Sequence, residues 1–84
     1  MDIRKRLKEF ILSEFGEDKQ LQALTADDDL IQQGIVDSMG VLQIVNFIEQ
    51  TYGSQVADDE ITVENFRTIN SIAGLIAQKI RAQV

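Results

Sequence analysis

The run SMGVLQIVNFIEQTYG, residues 38–53, decides the fold. At 100° per residue, Val41, Ile44, Val45, Ile48 and Tyr52 fall within one arc of about 100°, as in a helix with one buried face. Gly53 supplies the stop. Two other runs show the same period. Ile3, Leu7, Phe10, Ile11 and Phe15 recur among charged residues and predict a helix over about 3–15, with Asp2 as cap and Gly16 as stop. Ile69, Ile72, Ala73, Ile76 and Ile80 predict a last helix over about 69–82, capped by Thr68 or Asn70. Between them, Thr62-Val63-Glu64-Asn65-Phe66 reads as a single capped turn that pins Phe66 into the core. No stretch sustains apolar/polar alternation, so no strand is assigned.

Gly16 to about Gly34 is a stretch of roughly 19 residues without helical repeat, unusually long for so small a domain. It carries Leu21, Leu24, Leu30, Ile31 and Ile35, which predicts that it lies over the bundle. Spanning one helix length, it would let the first two long helices run in a similar direction. The expected fold class is all-α: a four-helix bundle of three longer helices and one short one, with a long loop between the first and second. Eighty-four residues leave room for one core, so residues 1–84 are expected to be one domain.

Composition narrows function. Hydrophobic residues make up 44% and charged residues 26%, a globular balance, and the net charge is −6. Residues 11–66 hold twelve acids against Lys19 alone, while both ends are basic. A nucleic-acid surface needs the opposite sign, and Arg4-Lys5-Arg6-Lys8 is too short and acid-flanked to supply it. With no Cys and no His, the chain has no thiolate, no Ser-His-Asp triad and no Cys- or His-based metal site. No run approaches the roughly 18 apolar residues of a membrane span, and the start lacks a signal peptide's apolar core. A soluble, cytoplasmic, non-catalytic chain is the expectation. Asp27-Asp28-Asp29 lacks the register and glycine of a calcium loop and reads, like Asp58-Asp59-Glu60, as capping or solvated acid. Phe47 and Phe66 read as packing residues.

The long loop ends in Gly34-Ile35-Val36-Asp37-Ser38-Met39-Gly40. Gly34 suits a sharp turn. Asp37-Ser38 stands at a helix start, where the macrodipole's positive end favours an attached phosphate. Taken locally, Asp-Ser before an apolar run is ordinary capping. The whole chain says more. An amphipathic first helix and a long loop with Asp29-Leu30 come first. Gly34-Ile35-Val36-Asp37-Ser38-Met39, an apolar helix ending at Tyr52-Gly53, a short helix before Phe66 and a final helix follow. In this order they resemble the acyl carrier protein family, whose signature is a Gly, two spacers and Asp-Ser-Leu.

The resemblance implies that a phosphopantetheinyl transferase moves 4′-phosphopantetheine from coenzyme A to Ser38, with Asp37 helping to present the serine. The arm's thiol would then hold acyl or aminoacyl cargo as a thioester, and a chain without Cys offers no competing thiol. Met39 and Gly40 depart from the fatty-acid carriers and are similar to aminoacyl and D-alanyl carriers. Implied partners are an adenylating acyl or amino-acid ligase and a downstream acyltransferase, oxidase or condensing enzyme, met by a carrier that is monomeric when free. Met39, Leu42, Asn46 and Glu49, at i, i+3, i+7 and i+10, line one face beside Ser38 and form a candidate docking strip. The competing reading packs Leu42 under the long loop and Met39 over the bundle end. Two rival functions stand: a fatty-acid or polyketide carrier, against which the single acid of residues 38–52 argues, and an unmodified helical adaptor.

Overall fold

The computed structural model describes residues 3–16 and 24–82. Its elements are α1 (Ile3–Phe15), α2 (Ser38–Tyr52), a 3-10 turn (Asp58–Glu60), α3 (Val63–Phe66) and α4 (Ile69–Ala82). Among the described residues there is no strand. The expected cap Asp2 and the loop's Leu21 lie outside the described residues.

Local chemistry sets the helix ends. At Gly16 the N–H still reaches Leu12 O at 3.1 Å, closing α1. Asp37 caps α2 from an extended backbone, and Gly53, at φ 67°, turns left-handed after it. For α3, Thr62 Oγ1 accepts the Asn65 N–H at 3.1 Å. Thr68, not Asn70, caps α4. Its Oγ1 accepts the Ser71 N–H at 3.0 Å, and Ser71 Oγ accepts the Thr68 N–H in return at 3.1 Å. Asn70 is occupied elsewhere: it accepts from Arg4 Nε and donates to Asp27 Oδ1, both at 2.6 Å.

The core draws on every helix. Leu7 and Ile11 of α1, Ile44 and Ile48 of α2, Phe66 of α3, and Ile72 and Ile76 of α4 are all fully buried. Each contributes about 1.5–3 kcal/mol relative to exposure. Val41 and Tyr52, at the edges of α2's apolar arc, are half-buried. The long loop does lie on this core, with Leu24, Leu30 and Ile35 buried and Ile31 partly so. Two of its acids hold its own backbone, and Asp29 also pairs through Oδ2 with Arg67 Nε at 3.6 Å. Asp28 Oδ2 accepts from Thr25 N–H, and Asp29 Oδ1 accepts from the Ile31 and Gln32 N–H groups.

The expected helix direction needs correction. Phe15, at the end of α1, packs on Gly40 at the start of α2. The Phe10 ring stacks on Phe47 one helical stretch further along, with centroids 4.3 Å apart. The two helices therefore run antiparallel. The loop does not cross the bundle once. By Leu24 the chain lies beside Arg4 and Lys5 at the beginning of α1, and by Val36 it has returned to the end near Gly40. A loop long enough for one crossing plus a return reverses the direction that one crossing would give. Two backbone bonds fix the return path: Asn70 N–H to Ala26 O at 3.1 Å and Leu30 N–H to Arg67 O at 2.7 Å.

Candidate functional site

Gly34, at φ 74°, makes the turn that brings the loop to α2. The Ile35 and Val36 N–H groups then both bond to Leu30 O at 3.0 Å, and their side chains are buried. This wedge holds the head of α2. Asp37 Oδ1 accepts the Gly40 N–H at 2.8 Å, and Asp37 O accepts the Val41 N–H at 2.9 Å. Ser38 is the first helical residue and is exposed. Its hydroxyl stands at the positive end of α2 on a base fixed by hydrogen bonds and packing.

Two recesses flank that serine. One, of about 200 Å³, is lined by Ser38 with Ile31, Val41 and Leu42 and by Ile61, Thr62 and Val63 at the start of α3. The other, on the α1 side, is lined by Glu14, Phe15, Asp37, Met39 and Gln43 among others. Val63 is 55% exposed, and the sequence pattern marks it only as part of the capped turn. An apolar residue opening a one-turn helix, three positions before the buried Phe66, was the available signal.

The four residues of the candidate strip differ in their surroundings. Met39 and Leu42 are 67% and 54% exposed, so the loop does not cover Leu42. Asn46 is exposed as well. Glu49 is half-buried, and its Oε2 accepts the Val56 N–H at 3.1 Å. The strip's one charge is thus tied to the strand of chain beyond Gly53.

The site suits a phosphodiester-linked arm. A phosphate on an accessible hydroxyl at a helix start would meet the positive end of the helix, and the apolar and polar recesses on either side would leave room for the rest. Comparison with known sequences decides the family: the Phosphopantetheine attachment site family matches residues 5–76. The chain belongs to this family of carrier proteins. It is similar to the anthracycline acyl carrier protein of Streptomyces sp. (strain C5), 32% identical over 78 residues, covering 93% of this chain and 90% of that one. The anthracycline acyl carrier protein of Streptomyces peucetius is 32% identical over 76 residues, covering 90% and 88%. The D-alanyl carrier protein of Streptococcus suis (strain 98HAH33) is 27% identical over 82 residues, covering 98% and 100%.

The carrier is non-catalytic, carries covalently attached 4′-phosphopantetheine, and is a substrate of phosphopantetheinyl transferases and a partner of biosynthetic enzymes. When bound, the arm supplies a terminal thiol for thioester linkage. No helix among the described residues is long and apolar enough to cross a membrane.

Proposed function

We propose that Ser38 is the attachment point and that the carrier delivers an aminoacyl or small acyl group in the cytoplasm, acting as a monomer when free. The observation that carries this reading is the exposed Ser38 hydroxyl at the fixed head of α2, immediately after the capping Asp37. Ser38 Oγ forms the new phosphodiester as the pyrophosphate bond of coenzyme A breaks, releasing adenosine 3′,5′-bisphosphate. Asp37 holds the first turn through Gly40 N–H and so orients the serine for the transferase. Tethered delivery then replaces free diffusion with a high effective concentration at each partner.

Met39 and Leu42, with Val63 across the recess, form the apolar contact surface for the transferase, an adenylating ligase and the downstream acyltransferase, oxidase or condensing enzyme. Met39-Gly40 after the serine and a helix whose one carboxylate is engaged support an aminoacyl or small acyl cargo. A second reading, a fatty-acid or polyketide acyl carrier, is favoured by the 32% identity to the anthracycline acyl carrier proteins.

Intact mass after incubation with coenzyme A, magnesium and a broad-specificity transferase tests the site. Wild type is expected to gain one phosphopantetheine, and Ser38→Ala none while remaining folded. Modification of the Ser38→Ala protein would reject the assignment. Loading of the holo-protein by amino-acid ligases against acyl transfer from malonyl donors then separates the two cargo readings.

A further inference from the structure

Gly40 is buried in the first turn of α2, between the exposed Met39 and the half-buried Val41. Propensity alone favours Ala at a helical position with ordinary backbone angles. The surroundings do not. A Cβ at position 40 would lie 3.0 Å from Phe15 Cε1 and 3.0 Å from Val36 Cγ1, with Phe15 Cζ at 3.2 Å. Val36 is 1% exposed and packed in the core. Phe15 also meets Phe10 edge to face, with ring centroids 6.4 Å apart. The bare Cα of Gly40 is therefore the seat of the Phe15 ring, where the end of α1 meets the head of α2.

The same glycine donates its N–H to the Asp37 carboxylate. One residue thus joins the packing of α1 to the cap that precedes Ser38. We infer that the Phe15–Gly40 contact is a positioning device: it sets the pose in which the first turn of α2 offers Ser38 to the transferase. This rests on the reading of Ser38 as the attachment point. In this inference Phe15 and Gly40 act on Ser38 through the turn. A methyl group on residue 40 pushes the ring or the turn by a few tenths of an ångström. The serine then meets the transferase off its productive geometry, while the exposed Met39 and Leu42 still dock.

The test is transferase kinetics, with carrier concentration varied, on wild type, Gly40→Ala, Phe15→Leu and Gly40→Ala/Phe15→Leu. Gly40→Ala is expected to lower kcat roughly tenfold with KM for the carrier held, a misplacement effect rather than a docking one. The double variant is expected to recover most of that rate, because the added methyl fills what the ring edge vacates. Wild-type kcat in Gly40→Ala, a loss that Phe15→Leu does not relieve, or a raised KM would each overturn the inference. The last would make position 40 a partner contact. Should Gly40→Ala fail to fold by circular dichroism, Phe15→Leu alone carries the test through amide hydrogen exchange. Faster exchange at Gly40 with unchanged protection at Ile48 is expected, and unchanged exchange at Gly40 overturns the inference. Ser38→Ala serves as the blank. If wild type gains no mass, or gains it elsewhere, the attachment reading fails, and the exchange data still report on the Phe15–Gly40 device.

Discussion

Tyr52 closes α2 with its ring edge-on to Phe47, centroids 6.3 Å apart, and its hydroxyl buried without a hydrogen-bond partner among the described residues. Burial raises the hydroxyl's pKa above its ordinary value, against the opposing charge of Arg6. An unpaired buried hydroxyl costs roughly 1–3 kcal/mol, so Tyr52→Phe removes a penalty and keeps the ring contact. Urea unfolding is expected to show unchanged stability or a gain of up to about 1 kcal/mol. A clear loss would mean that the hydroxyl has a partner. The pH dependence has a definite sign. The raised pKa means the unfolded chain loses its proton first, so the stability held below the ordinary tyrosine value falls as pH rises toward the folded one. Tyr52→Phe should lack that part of the alkaline decline. Sequence placed Tyr52 on the apolar arc but could not foresee its orphaned hydroxyl, because that depends on which neighbours close over it.

At the scale of elements, α2 was the most legible, since Asp37, the apolar arc and Gly53 each act locally. Its outward face was legible only as a line of residues at helical spacing. What separates them is tertiary: Met39 and Leu42 stay exposed, while Glu49 is drawn onto Val56 N–H by the turn after Gly53. The choice of Thr68 over Asn70 as the α4 cap has the same origin, because Asn70 is claimed by Arg4 and Asp27 from distant parts of the chain. The docking role proposed for this face predicts a specific phenotype. Met39→Asp places a charge at a 67% exposed position in a helix's first turn, where the dipole favours it, so the bundle should stay within about 0.5 kcal/mol of wild type. Turnover with transferase and ligase should fall through a raised KM. Unchanged KM with every partner would reject the docking surface.

For the whole molecule, the fold class followed from three apolar stripes, but the path between the first two did not. Loop length alone fits both a single crossing and an out-and-back course, and the bonds that select the latter join residues 26–30 to residues 67–70. A second long-range tie runs from α4 to the other side of the serine. Lys79 Nζ meets Glu60 Oε1 at 2.6 Å, the same oxygen accepts the Ala57 N–H at 2.8 Å, and Asn65 Nδ2 holds Glu60 O at 2.8 Å. Glu60 thus fastens the entry to α3, where Ile61, Thr62 and Val63 wall the recess beside Ser38. The Lys79 hydrogen bond, then the Ala57 N–H and the Lys79 charge, hold the Glu60 carboxyl below its ordinary value. A depressed carboxyl pKa stabilises the fold above the unfolded value, and that stability is lost as pH falls through the lower folded one. Wild type should therefore lose thermal stability from about pH 5 downward more steeply than Glu60→Gln, the two converging once the carboxylate is protonated. Exchange at the α3 amides should rise over the same range in wild type while the Ile48 amide stays protected. Parallel curves for the two proteins would mean that the Lys79–Glu60 pair is too solvent-screened to hold α3 against the serine's recess.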